Sequence, residues 1–154
     1  MSNQHNLHII KHLRNNSRTT LKELSKQTEI PISTLFDKLK QFPYIKRFTC
    51  LLDYKQLGYD LRVLLLLKAP SFKKAELEEY LQSRPRLNTL VEVSNGWDYF
   101  VELYFKNIQE YHAFLKSLRL QTKSYHEIFV LNELKEEAFL SKEPKNQNQA
   151  QSEA

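Results

Sequence analysis

Apolar residues recur with a helical period over the first 42 positions, then with a mixed strand and helix rhythm from position 61 onward. Residues 6–15 predict a first helix with Ile9, Ile10 and Leu13 turned to a core, ended by Asn15-Asn16-Ser17. Leu21, Leu24 and Ser25 open a second helix. Thr20 followed by Glu23 is a capping-box pattern. The hydroxyl takes one orphan N–H of the first turn, and the carboxylate returns to the cap's own N–H. Thr28-Glu29-Ile30-Pro31 breaks that helix. Residues 33–42 predict a third, with Leu35, Leu39 and Phe42 on one stripe, Pro31 in its first turn and Pro43 as its stop. Two short helices joined by a few residues is the geometry that presents one helix to a DNA major groove.

Residues 45–52 predict a strand, in which Cys50 is a small buried hydrophobe. Residues 53–59 form a connector holding Gly58. The rest alternates. Residues 61–69 are an apolar, branched run and predict a strand, broken by Pro70 and Ser71. Residues 73–83 are helical, with Leu77, Tyr80 and Leu81 on one side. Residues 87–94 alternate as a strand, with Leu87, Thr89, Val91 and Val93 on one face. Asn95-Gly96 is a hairpin signal. Residues 97–106 predict a strand, 108–119 a helix bearing Tyr111, Phe114, Leu115 and Leu118, and 125–131 a last strand. The order strand, helix, strand, strand, helix, strand is the split βαβ, ferredoxin-like pattern. The expected class is therefore α+β. A helix-turn-helix (winged) head covers residues 1–52, a linker 53–60, a ferredoxin-like body 61–140 and a disordered polar tail 141–154.

Charge sharpens the division. Residues 1–52 carry nine Lys/Arg and three acids, +6 in all, whereas the whole 154-residue chain carries +5, which leaves −1 for the remainder. A basic front on a near-neutral body points to an anionic partner docking at one end. The single cysteine excludes a disulfide within the chain and fits a reducing, cytoplasmic setting. The longest apolar run, residues 63–67, is too short to span a bilayer.

The third helix leaves Ser33, Thr34, Phe36, Asp37 and Lys40 toward solvent or a groove. Serine and threonine bond to base edges or phosphates, Asp37 suits a cytosine amino group, and Phe36 suits a thymine methyl. Lys38 and Lys40 suit phosphates. Lys46 and Arg47, just beyond, either grip the backbone as a small wing or are solvent-facing strand positions. At Asn95-Gly96 a plain hairpin is one reading. The other uses the Trp97 and Asp98 that follow at once, with Gly96 admitting a close backbone approach and Asp98 holding a ligand ammonium. His8 and His12 have the i, i+4 spacing of metal ligands but lack an acidic or cysteine partner nearby, so no metal is expected and they read as a polar helix face. No base, nucleophile and orienting group assemble around His112 or His126.

Taken together, the two halves resemble the Lrp/AsnC family of feast/famine transcriptional regulators over roughly residues 6–135. In the head the resemblance rests on Ile9-Ile10, Leu13, Arg18, Thr20, Glu23-Leu24, then Thr34-Leu35, Lys38-Leu39 and Phe42. Residues 45–52 with Asp53 and Leu57-Gly58 resemble the segment joining head to body. Gly96-Trp97-Asp98-Tyr99 resembles the family's Gly-aromatic-Asp turn, near which members bind small effectors, commonly amino acids. The resemblance implies a sequence-specific regulator, not an enzyme, with double-stranded DNA as partner. It implies a homodimer as the unit, tetramers or octamers as larger assemblies, an amino acid as default effector and no cofactor. Two departures stand out. The loop 120–124 has no glycine, and the last strand opens with Tyr125, His126 and Glu127 where many effector-responsive members carry a small or hydroxyl residue. The resemblance also reaches the Lrp-like subunits of sirohaem decarboxylase, which makes an enzyme subunit the rival reading; a third is an assembly module whose head binds no DNA.

Overall fold

A computed structural model describes residues 2–140 and divides them between two compact units. One comprises residues up to Leu51 together with those from Leu134 onward; the other is Leu52–Glu133. The tail expected over 141–154 lies outside the described residues.

The first unit holds three helices, α1 (Ser2–Asn15), α2 (Leu21–Thr28) and α3 (Ile32–Lys40). Ile9, Leu24, Leu35 and Phe42 are buried at their centre, with Ile10, Leu13, Leu21, Ile30, Leu39 and Ile45 packed around. The capping box forms as the sequence predicts. Thr20 Oγ1 accepts from the Glu23 N–H at 3.2 Å, and the Glu23 carboxylate accepts from the Thr20 N–H at 2.9 Å. That backbone donor, then the Thr20 hydroxyl, holds the Glu23 carboxyl below the ordinary glutamate range. α2 ends on Glu29 in the left-handed region at φ 59°, an uncommon place for a residue with a Cβ. Ser25 Oγ donates to the Ile30 carbonyl at 2.6 Å and fixes the turn from within. Pro31 caps α3 rather than sitting in its first turn, and the helix stops at Lys40, so Phe42 reaches the core from beyond the helix end.

Two expectations fail here. Residues 45–52 form no strand, and positions 46–52 are exposed. Their alternation satisfies a strand's pattern, but a strand needs a neighbour for its N–H and C=O groups, and none pairs with this segment among the described residues. Cys50 is consequently exposed rather than buried. The returning C-terminal segment is tied to α1 instead. Arg14 bonds the Glu137 carboxylate at 2.9 Å, the Phe139 carbonyl at 3.1 Å and the Glu137 carbonyl.

The second unit is a four-stranded antiparallel sheet in the order β2-β3-β1-β4, from β1 (Leu61–Lys68), β2 (Leu87–Glu92), β3 (Tyr99–Phe105) and β4 (Ser124–Phe129). Helices α4 (Lys74–Gln82) and α5 (Ile108–Leu118) complete the ferredoxin-like order. Val63, Leu65 and Leu67 of β1 and Tyr99, Val101, Leu103 and Phe105 of β3 meet Leu77, Leu81, Tyr111, Leu115 and Leu118 of the helices in one core. The opposite sheet face carries Arg62, Leu64, Leu66, Phe100, Glu102 and Tyr104, and among the described residues of this unit no helix packs over it. The single face expected for Leu87, Thr89, Val91 and Val93 is broken by a register shift between Leu87 and Thr89. One extra residue exchanges the faces. Leu87 and Leu90 reach the core, Val91 is exposed, and Thr89 joins Glu102 on the other side.

Candidate nucleic-acid interface and effector turn

α3 buries Leu35 completely and turns Ser33, Thr34, Phe36, Asp37 and Lys40 to solvent, the set the sequence assigns to a groove. Phe36 is 47% exposed, so its ring is open to a partner. The Lys40 ammonium lies 4.2 Å from the Phe36 ring centroid, so the two side chains order one another on that surface. Ile32 at the start of the helix is also half exposed. Lys38 differs from the rest: it is partly buried, and its Nζ donates to Asn6 Oδ1 at 3.3 Å, tying α3 to α1. Lys46 and Arg47 are exposed on the irregular segment after α3, so a strand wing does not carry them. Lys11, Arg18, Lys22 and Lys26 add exposed positive charge to the same unit. The arrangement offers short polar groups, one apolar ring and Lys40 on a helix face, with further exposed cations in the same unit. That is the division between base-reading and phosphate-gripping groups that duplex DNA requires.

In the second unit the β2–β3 connection turns through Asn95 at φ 64° and Gly96 at φ 92°, two successive left-handed residues as a primed hairpin turn requires. The Val93 N–H donates to the Asp98 carbonyl at 2.9 Å and closes the loop. Asp98 is anchored rather than free. Its carboxylate accepts from Lys74 Nζ at 2.8 Å and from the Ala69 N–H at 3.0 Å, with Lys68 Nζ at 3.8 Å. Lys74 and the Ala69 donor pull its carboxyl below the ordinary aspartate range, and Asp98 in turn raises the Lys74 ammonium. Tyr99 points into the core, 2% exposed, with its hydroxyl donating to Glu78 at 2.5 Å; burial first, then Glu78, raises its phenol. Of the four residues assigned to an effector, Asp98 and Tyr99 therefore build the turn. Gly96 is exposed, and Trp97 is half-buried with its ring 6.4 Å from that of His126.

Sequence reasoning misses a polar hub on the helix-free sheet face. Glu102 is 7% exposed and accepts from Arg62 Nε, Thr89 Oγ1 and Asn88 Nδ2, each at 2.6 Å. Burial alone would raise its carboxyl, but the Thr89 and Asn88 donors and the Arg62 charge outweigh burial and lower it. Arg62 also bridges to Glu133 at 2.5 Å. The signal in the sequence is one carboxylate inside the apolar run Tyr99–Phe105. Among the described residues no three potential ligands cluster as a metal site, and no helix is long and apolar enough to cross a membrane.

Comparison with known proteins matches this architecture. The family model described as the Lrp/AsnC ligand binding domain matches residues 65–139. The HTH-type transcriptional regulator FL11 of Pyrococcus horikoshii is 33% identical over 110 residues, covering 70% of this chain and 73% of that protein. A transcriptional regulator of Neisseria meningitidis, solved as a complex with L-Met, superposes with a TM-score of 0.81 at 18% identity, covering 87% of this chain and 92% of that one. Bacillus subtilis LrpC also gives 0.81 at 18% identity, covering 86% and 96%.

Proposed function

The chain belongs to the Lrp/AsnC family of transcriptional regulators, and on that premise we propose that it regulates transcription by binding specific duplex DNA through α3. The observation that carries this is the exposed face Ser33, Thr34, Phe36, Asp37 and Lys40, standing on a buried Leu35 in a unit rich in exposed cations. Ser33, Thr34, Phe36 and Asp37 read bases; Lys40, Lys46 and Arg47 meet phosphates. Lys38 holds the helix in place. One head makes few contacts, so the body pairs two-fold and presents two such helices to a pseudo-palindrome. The sheet face opposite the helices, with Leu64, Leu66 and Phe100, is the surface suited to that pairing. Higher assemblies build on the dimer. A small effector acts at Gly96 and Trp97, with an amino acid as first candidate given the L-Met complex of the Neisseria regulator. The setting is the cytoplasm.

Selection of bound sequences from a random duplex pool tests this directly. The expected return is one motif with two-fold symmetry and half-sites a helical turn or a multiple apart. A pool that stays random after several rounds would remove the DNA-reading role.

A further inference from the structure

The chain passes between the two units twice, once after Leu51 and once after Glu133. The first passage is long. Ile45 packs against the three-helix core, Tyr54 stacks on Tyr104 in the body, and positions 46–52 between them are exposed. The backbone from Ile45 to Tyr54 reaches up to about 30 Å when extended. The second passage is short and clipped at both ends. In the body, Arg62 holds Glu133 at 2.5 Å and is itself fixed by Glu102. In the head, Arg14 of α1 holds Glu137 at 2.9 Å. The backbone from Glu133 to Glu137 reaches at most about 14 Å. An exposed ion pair alone would be weak. Here the Arg14 guanidinium also donates to the Phe139 carbonyl at 3.1 Å and to the Glu137 carbonyl, both outside any helix or strand. Glu137 sits at φ 44°, a left-handed conformation that a residue with a Cβ rarely adopts. Apolar burial holds this passage little, since Leu131, Leu134 and Phe139 are 90%, 91% and 81% exposed.

We infer that residues 133–139 are a second, short tether between head and body, and that Arg14 and Glu133, which clip its two ends, determine the half-site spacing the protein accepts. The inference rests on the paired, DNA-reading assembly proposed above and adds what limits the separation of its two heads. With both clips closed, the short passage bounds how far a head ranges from its body. With either clip open, only the longer passage through residues 46–52 bounds it. A head on a longer tether samples a larger volume. Half-sites at several separations are then met at comparable effective concentration, and no one separation is favoured. A single half-site engages one head and is indifferent to the clips.

The test compares the full-length parent with Arg14→Gln and Glu133→Gln on duplexes carrying two copies of the selected half-site. Their separation is raised one base pair at a time through a helical turn, and a duplex with one half-site serves as reference. The parent should lose at least about tenfold in affinity half a turn from its best separation, where the second site faces the far side of the duplex. Each variant should lose less than about threefold over the same series and bind the single half-site as the parent does, which also shows that its head is folded. Glu137→Gln keeps both carbonyl acceptors of Arg14 and should fall between. Trypsin gives a readout without DNA, because Lys135 lies inside the tether. Cleavage there should be at least about fivefold faster in both variants, as opening of the clip implies. Variants with as sharp a spacing preference as the parent, or with Lys135 cut no faster, would overturn the inference and leave the DNA reading standing. Weaker single-site binding by Arg14→Gln but not by Glu133→Gln would also overturn it, because Arg14 would then meet a phosphate. A parent that binds no duplex, or binds without regard to spacing, would remove the inference and the paired reading together.

Discussion

Tyr54 stacks on Tyr104 with ring centroids 3.8 Å apart and planes 20° from parallel, and its hydroxyl donates to Asn88 Oδ1 at 3.2 Å. The segment expected to be a linker is thereby attached to the body at the helix-free sheet face. Asn88 passes the connection on, since its amide donates to Glu102. Glu102 holds Arg62, and Arg62 holds Glu133 on the segment leaving β4. One chain of contacts therefore joins the residues entering the body to those leaving it.

Removing the stack should loosen that entry. Tyr54→Ala is expected to destabilise the body by about 1–2 kcal/mol, from a stacked pair worth ~0.5–1.5 kcal/mol together with one hydrogen bond. Trp97 is the only tryptophan and lies in the body, so its emission during urea unfolding reports the change. Tyr54→Phe should retain most of the stability. Equal losses for both variants would place the energy in the hydroxyl rather than in the stack.

Glu102 should behave as a buried charge whose partners depend on it. Glu102→Gln is expected to cost about 2 kcal/mol, because it puts an amide donor among the Arg62, Asn88 and Thr89 donors. Glu102→Leu combined with Arg62→Met should be closer to the parent than Glu102→Leu alone, since the pair leaves no orphaned charge on the sheet. A double-mutant cycle in urea measures the coupling. Strict additivity would mean that Glu133 and solvent already satisfy Arg62.

How far the sequence foretold these features depends on whether local residues or distant partners decide them. The capping box at Thr20 and Glu23 was legible because both groups lie within one helical turn. Asn95-Gly96 was legible because only certain residues accept left-handed backbone. The exposed face of α3 follows from the spacing of Leu35 and Leu39. By contrast, the extra residue between Leu87 and Thr89 is set by pairing with β3, and no local pattern announces it. Residues 45–52 fail for the same reason, having a strand's alternation but no neighbour among the described residues. Asp98 reads as a ligand group until Lys74, 24 positions away in sequence, closes on it at 2.8 Å.

That bridge sets a pH signature. The Asp98 carboxyl sits below its ordinary value in the folded chain, first through Lys74 and then through the Ala69 N–H. Its contribution is therefore complete above the unfolded value of about 3.9 and is lost as pH falls through the lower folded value. The Lys74 ammonium is raised by Asp98. Its part is complete below the unfolded value of about 10.4 and is lost as pH rises through the folded one. The difference in urea midpoint between the parent and Lys74→Met should be largest between about pH 5 and 9 and shrink toward either extreme. A difference that stays constant down to strong acid would assign Lys74 a packing role instead of an electrostatic one.

The recognition helix offers the sharpest division of roles, because its residues differ in what the fold already asks of them. Ser33 and Asp37 are exposed and have no part in the core, so Ser33→Ala or Asp37→Ala should change which bases are preferred, by about 1–3 kcal/mol for each direct contact. Lys40 is exposed and leans over Phe36. Lys40→Ala should weaken all duplexes alike and make the dependence of log affinity on log salt shallower by about one unit for each head engaged. Lys38 belongs to neither class. Its ammonium bonds Asn6, so Lys38→Ala should leave base preference intact and act by lowering the stability of the three-helix unit. Parallel binding curves on a fixed duplex at several salt concentrations, with a base-substitution series at each position, separate the three behaviours. If Ser33→Ala, Asp37→Ala and Lys40→Ala all weaken every duplex equally, α3 grips the backbone and bases are read elsewhere. If Lys38→Ala alone flattens the salt dependence, its side chain leaves Asn6 for a phosphate on binding, and the contact between α1 and α3 is exchanged rather than kept.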